Sequence, residues 1–266
     1  MLNKRYVSIA LIIAVILAGF FVYSMTMKDL RTPEGAKKYE VSAANINYFM
    51  NVAGYLAKPT ERGQYPSVVM IHEWWGLNDH IKDMARQLAS EGYTVLAVDL
   101  YEGEVATTPE RARQLTSSMD QERATRNMRS AVAYLREKED AKKMASLGWC
   151  FGGGQSLQLA LSGEKLDATV IYYGSLVTDE AKLSVIKWPV LGIFGDKDTS
   201  IPVSKVKEFN SALDKLGIKN QIYIYQGVGH AFANPSGDNY ASNEAKDAGE
   251  KTVAFLNEHL KTQDKK

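Results

Sequence analysis

The stretch Met144-Ala145-Ser146-Leu147-Gly148-Trp149-Cys150-Phe151-Gly152-Gly153-Gly154 decides the fold. Its first six residues are an apolar run of strand length, and the segment that follows, to Leu161, has helical apolar spacing, so the chain passes from strand to helix in one tight turn. The positions flanking such a turn tolerate little beyond hydrogen, which Gly148 and Gly152 supply on either side of Cys150. A Gly-x-Cys-x-Gly turn of this kind lifts the middle side chain up and out of the sheet. The N–H groups and positive dipole end of the following helix would then favour a thiolate. Two plainer readings stand beside this one. Glycine-rich strand-to-helix turns also hold phosphates, although neither Gly-x-Gly-x-x-Gly nor Gly-Lys-Ser/Thr occurs here. A lone cysteine is also commonly a small buried hydrophobe.

Working outward, Val68–His72, Thr94–Val98, Ala168–Tyr172 and Val190–Phe194 repeat the same short, apolar pattern of strands covered on both faces. Between and after them, Ile81–Ser90, Gln121–Leu135, Gly154–Leu161, Val203–Leu216 and Ala245–Leu260 carry helical spacing, as in Met128, Ala131, Tyr134 and Leu135. The alternation predicts an α/β domain with a mostly parallel central sheet and helices on both faces, running without a composition break from residue 39 to residue 266.

The remaining composition narrows the function. Lys and Arg number 32 against 31 Asp and Glu in 266 residues, a net charge of +1 that offers nothing to a phosphate backbone, so no nucleic acid partner is expected. One cysteine excludes an internal disulfide framework. No charged residue lies between Arg5 and Lys28, a 22-residue interval long enough for a helix of ~20 residues to cross a bilayer. Lys4 and Arg5 ahead of it read as a flank that stays inside. Residues 1–27 are therefore expected to be a transmembrane signal anchor, with a cleaved signal peptide as the rival. Residues 28–38, with Pro33 and Gly35, read as a linker. The domain is expected outside the cytoplasm, in the periplasm or on the outer face of the inner membrane, as a monomer.

In open α/β sheets, ligands bind beyond the carboxyl ends of the strands, and that is where the polar residues collect. After Val190–Phe194 comes Gly195-Asp196-Lys197-Asp198. After the strand Gln221–Tyr225 comes Gly227-Val228-Gly229-His230-Ala231-Phe232. Nucleophile, acid and histidine in this chain order are those of the α/β-hydrolases, which nominates Cys150, Asp198 and His230. Asp198 is preferred to Asp196, whose place beside Gly195 suits a turn brace. The remaining histidines read more blandly, His80 at a helix start and His259 as a surface residue of the last helix. His72-Glu73 lacks the second histidine of His-Glu-x-x-His, so no metal is expected.

Together with these loops, His72-Glu73-Trp74-Trp75-Gly76-Leu77, Asp99-Leu100-Tyr101, Gly148-Trp149-Cys150-Phe151-Gly152-Gly153 and Gly229-His230-Ala231-Phe232 resemble the dienelactone hydrolase family over residues 40 to 262. The resemblance implies an α/β-hydrolase fold and a cysteine-nucleophile hydrolase of an ester, lactone or thioester, with a Cys150-His230-Asp198 triad and no cofactor. It further implies that Glu73 accepts the thiol hydrogen bond at rest and gives it up when substrate enters. Between Trp74 and Trp75 that carboxyl would be partly desolvated and its pKa raised, which suits proton exchange with a thiol. The backbone N–H groups of Phe151 and Trp74 are the expected oxyanion hole. Trp75, Tyr101, Trp149, Tyr172, Tyr173 and Phe232 are candidates to line an apolar substrate pocket, with plain core packing as the alternative for each.

One departure bears on substrate. The family's lactone-opening members hold a substrate carboxylate with two arginines, but here Glu102-Gly103 follows Tyr101 and Ala233-Asn234 follows Phe232. A neutral substrate is expected, with Glu102 repelling an anion and Lys82, Arg86 and Arg111 as the cations that could compensate. Outside hydrolysis, an activated lone thiol could serve a thiol-reactive or redox protein, or the scaffold could bind a ligand without turnover.

Overall fold

The described residues of this computed structural model, 37–261, begin with an antiparallel hairpin of β1 (Val41–Phe49) and β2 (Val52–Pro59). The pattern reading does not anticipate it. β1 is an edge strand whose side chains stay largely exposed until Tyr48 and Phe49, so no apolar alternation marks it. The strands that follow are β3 (Ser67–Ile71), β4 (Thr94–Val98), β5 (Met144–Trp149), β6 (Ala168–Tyr172), β7 (Val190–Gly195) and β8 (Asn220–Tyr225). β3 to β7 are buried along their whole length, the signature of strands covered on both faces.

The eight strands form one mixed sheet in the order β1-β2-β4-β3-β5-β6-β7-β8. β2 pairs antiparallel with both β1 and β4, and every pairing from β4 to β8 is parallel. The helices are α1 (Asp79–Ser90), α2 (Pro109–Ser118), α3 (Gln121–Lys138), α4 (Phe151–Leu161), α5 (Glu180–Leu183), α6 (Val203–Lys215) and α7 (Ser242–Leu260). α2 escapes the apolar-spacing test because Ala112 is the one residue it buries; its start is set by Thr108, whose side chain accepts the Arg111 N–H, and by Pro109.

The path from β3 through α1 to β4 runs one way along the sheet, and the path from β4 through α3 to β5 runs back past β3. Right-handed crossovers in opposite directions put α1 on one face and α3 with α4 on the other. α7 joins the α1 side, where Tyr93 Oη donates to Asn257 Oδ1 at 2.8 Å and Lys261 Nζ to the Glu91 carbonyl at 2.7 Å. The reversal leaves β3 and β5 as neighbours, with Ile71 opposite Gly148, so a crevice is expected beyond their carboxyl ends.

Among the described residues, 38–261 form one compact unit. The expected membrane segment, residues 1–27, and the expected linker up to residue 36 lie outside the described residues. Among the described residues no helix is long and apolar enough to cross a membrane.

At the start of β3, Ser67 is fully buried and its hydroxyl has no hydrogen-bond partner. An unpaired buried hydroxyl costs ~1–3 kcal/mol of desolvation, against a few tenths for the weaker strand preference of alanine. Ser67→Ala should therefore leave the urea midpoint unchanged or raise it by the equivalent of up to ~1 kcal/mol. A clear loss of stability would mean that the hydroxyl has a partner after all.

Candidate active site

Cys150 sits between β5 and α4 with φ 55° and ψ −119°, a backbone conformation that costs a non-glycine residue of order 1–3 kcal/mol and must be imposed by its surroundings. The surroundings are backbone on backbone. A Cβ on Gly148 would lie 2.1 Å from the Gly152 carbonyl oxygen, and one on Gly152 would lie 2.3 Å from that of Ile71. Cys150 N–H donates to the Tyr172 carbonyl at 3.0 Å and its own carbonyl accepts from Gly154 N–H at 3.2 Å, which ties the turn to β6 and to α4.

The half-buried Cys150 Sγ lies 3.0 Å from His230 Nε2, and His230 Nδ1 lies 2.7 Å from Asp198 Oδ2. The Asp198 side chain is wholly buried, and its other oxygen accepts the backbone N–H groups of Ser200 (2.8 Å) and Ile201 (3.0 Å). Burial works to raise the Asp198 pKa, but the imidazole and those N–H groups outweigh it and hold the carboxyl below its usual value. A carboxylate accepts only, so Nδ1 carries the hydrogen and Nε2 faces the sulfur. Burial likewise works to lower the His230 pKa, but Asp198 and Cys150 together push it up to about 10. Asp196 instead takes the Gly227 N–H at 2.6 Å and braces the loop after β8.

Glu73 follows β3 in the crevice and is buried. The backbone around it is pinned by His72, whose Nδ1 donates to the Glu73 carbonyl at 2.6 Å and whose Nε2 accepts the Leu100 N–H at 3.1 Å. Both ring nitrogens are thereby spent on backbone. The Glu73 carboxyl does not rest on the thiol, contrary to the expectation drawn from the family. Its Oε2 accepts from Asn234 Nδ2 at 2.5 Å, while the thiol is against His230. Burial pushes the Glu73 pKa up to about 7, against the opposing pull of Asn234 and His230.

A cavity of about 1080 Å³ opens over these groups, lined by Glu73, Trp74, Trp75, Cys150, Phe151, Tyr173, His230 and Asn234, with Arg113, Thr116 and Gln155 toward the α2 side. Among the described residues no acceptor takes the backbone N–H of Phe151 or of Trp74, and both residues face this space.

Four expected pocket residues are elsewhere. Trp149 and Tyr172 pack on each other at 5.5 Å, and the Tyr172 hydroxyl donates to the Ala248 carbonyl of α7 at 2.9 Å. Tyr101 lies beneath the Glu73 loop, its ring against His72 (4.8 Å) and its hydroxyl on Thr116 (3.0 Å). Phe232 is buried between Tyr173 and Tyr225. His259 is no surface residue either, being half-buried against Phe255.

The expected charges also fall differently. Glu102 pairs with Arg123 away from the cavity, so its repulsion of an anion does not apply. Lys82, Arg86 and Arg111 are engaged by Asp79, Asp83 and Glu104. Arg113, which pattern reading does not single out, is the cation that reaches the cavity rim. It is exposed and pairs with no carboxylate among the described residues.

The model of the dienelactone hydrolase family matches residues 52–260, which spans strands β2 to β8 and every residue of this cavity. The chain belongs to the dienelactone hydrolase family. It is a hydrolase of ester or lactone bonds on an α/β-hydrolase fold. Among its relatives, protein usf of Aquifex pyrophilus is 33% identical over 221 residues, covering 79% of this chain and 95% of the relative. A candidate carboxymethylenebutenolidase of Saccharolobus solfataricus is 31% identical over 229 residues, covering 71% and 88%. A candidate dienelactone hydrolase of Klebsiella pneumoniae superposes with a TM-score of 0.75 at 27% identity over 82% of this chain and 98% of its own. A dienelactone hydrolase-like promiscuous phosphotriesterase from metagenomic libraries shares the fold, with a TM-score of 0.74 at 24% identity over 83% and 99%.

Because Gly152 has backbone oxygen at 2.3 and 2.4 Å from where a Cβ would stand, Gly152→Ala must move either the turn or the end of β3. A loss of roughly 3 kcal/mol or more in unfolding free energy is expected, together with loss of activity. An unchanged denaturation curve would show that the contact yields easily.

Proposed function

We propose that this family member is a cysteine hydrolase in which Cys150, His230 and Asp198 act as a nucleophile, general base and orienting acid. The observation that carries the reading is the continuous pair of hydrogen bonds from sulfur to imidazole to buried carboxylate, 3.0 and 2.7 Å, facing the cavity. Sγ attacks the acyl carbon as its proton passes to His230 Nε2. The backbone N–H groups of Phe151 and Trp74 receive the developing oxyanion. Collapse expels the alkoxy or ring oxygen, which takes the proton back from His230. A water molecule, deprotonated by the same nitrogen, then attacks the acyl-enzyme, releases the acid and restores the thiol. Glu73, which does not touch the thiol at rest, serves as an alternate acceptor for its proton once the carboxyl rearranges toward the sulfur.

Alanine at Cys150, His230 or Asp198 should each lower kcat by roughly 10³-fold or more without loss of fold, because groups acting as a unit fail together. Circular dichroism and a p-nitrophenyl ester assay check both halves. Full esterase activity in His230→Ala would sink the mechanism.

The same reading extends to the charge of the substrate. Apart from the His230 imidazole, which is engaged by Cys150 and Asp198, the wall beside the thiol is made by Glu73, Trp74, Trp75, Tyr173 and Asn234 and holds no lysine or arginine. Arg113 stands on the solvent-exposed rim, where a single ion pair is worth ~0–1 kcal/mol. Burying a carboxylate without a partner costs several times that. For matched substrates differing only in a carboxylate or its methyl ester beside the scissile bond, kcat/KM should favour the neutral partner by roughly tenfold or more, ~1.4 kcal/mol. Preference for the anion would make Arg113 a clamp and overturn the neutral reading.

A further inference from the structure

The carboxyl of Glu73 is buried, yet among the described residues no lysine or arginine touches it. Its one hydrogen bond comes from Asn234, itself buried, and that amide has no freedom to turn. Asn234 Oδ1 already accepts from Ser236 N–H at 2.9 Å and Ser236 Oγ at 2.7 Å, which leaves Nδ2 aimed at Glu73 Oε2. A second polar group in the same wall is unspent. Tyr173 is fully buried, lines the cavity, and its hydroxyl makes no hydrogen bond of acceptable geometry. The Ala233 N–H, which bears on this oxygen, can only donate and leaves the hydroxyl proton unclaimed. Tyr173 and Glu73 line the same cavity, and burial, with the Glu73 carboxylate after it, holds the hydroxyl well above its usual pKa.

We propose that Asn234 and Tyr173 are the positioning residues of Glu73, two uncharged partners, one engaged and one in reserve, between which the carboxyl rearranges as it exchanges a proton with the Cys150 thiol. This rests on the reading of Cys150 and Glu73 given above. In the exchange the S–H bond breaks, the electron pair stays on sulfur beside His230, and the proton forms an O–H bond on Glu73. The ionised carboxylate can accept from both Asn234 and Tyr173. The protonated carboxyl keeps Asn234 as donor and can itself donate to the tyrosine oxygen. A hydroxyl serves both forms because it donates and accepts, and it serves the ionised form better because charge-assisted bonds are the stronger ones. Burial keeps Tyr173 itself neutral throughout.

The groups that bear on Glu73 come from every element around it. They are Cys150 from the turn into α4, Tyr173 from the end of β6, and His230 and Asn234 from the loop after β8. His72, on its own loop, is held neutral by burial, with both nitrogens on backbone. Donors to a carboxylate favour its ionised form, so removing one moves its titration to higher pH.

Cys150 is the sole cysteine of the chain, so iodoacetamide labelling reads this thiol alone. The pH dependence of the labelling rate in the full-length protein should show a step from Glu73 that disappears in Glu73→Gln. Asn234→Ala should move that step to higher pH by about one unit, tenfold in proton concentration, and Tyr173→Phe should move it the same way by less. The Tyr173→Phe melting temperature should not fall, since the hydroxyl has no bond to lose. This variant also keeps the test open if Asn234→Ala does not fold. A step that survives in Glu73→Gln, profiles of the two variants that lie on the wild-type curve, or a shift to lower pH would each overturn the proposal. Ester hydrolysis surviving in Cys150→Ala would instead remove the nucleophile, a failure that the labelling profile does not share.

Discussion

The contact on which the site depends is between two backbones, Gly152 of the turn after β5 against the carbonyls of Ile71 and His72 at the end of β3. It allows the strand-to-helix turn to close tightly enough to drive Cys150 into a left-handed conformation with its sulfur raised. It also joins the two strands whose ends carry chemistry. Ile71 pairs with Gly148, so Glu73 and Cys150, each two residues further on, emerge side by side. Trp149 pairs with Tyr172, which brings Tyr173 beside Cys150 from the other flank. Parallel pairing has a fixed register, and it carries this geometry across neighbouring strands without any side-chain contact having to create it.

Two buried carboxyls then take opposite characters from their surroundings. Asp198 is given two backbone N–H groups and an imidazole, enough to overcome desolvation and hold it ionised. Glu73 is given one amide, not enough, and is pushed up to about 7. The first is suited to orienting a histidine permanently, the second to gaining and losing a proton under ordinary conditions. Asn234 is a neutral donor, and it cannot hold the Glu73 carboxylate as a cation would.

The order of the elements was legible from the chain because strands β3 to β7 are buried on both faces and so are largely apolar, while most of the helices between them show one wet side. That Cys150, Asp198 and His230 meet was legible because polar loops in such a sheet sit after strand ends, where glycine makes them tight, whereas Glu73 was singled out through the family resemblance. The first hairpin was not. An exposed edge strand needs no apolar pattern, and what holds it is tertiary: pairing through β2 with β4, and Tyr48 and Phe49 anchored under α3.

Side-chain destinations needed the tertiary structure. Trp149 and Tyr172 face α7 because alternate residues of a strand point to opposite faces, and Tyr101 was taken by the underside of the Glu73 loop. Which of two carboxyls takes which donor, and whether a charge such as Glu102 reaches the cavity or is answered by Arg123, depends on distances between segments far apart in the chain. The amino-acid sequence by itself determined the alternation, the tight turn and the loops that carry reactive groups, since these are local consequences of periodicity and glycine. The protonation, the partners and the pocket wall were decided only when β3, β5, β6 and β8 brought their ends together, because electrostatic and hydrogen-bond energies follow spatial proximity and not sequence order.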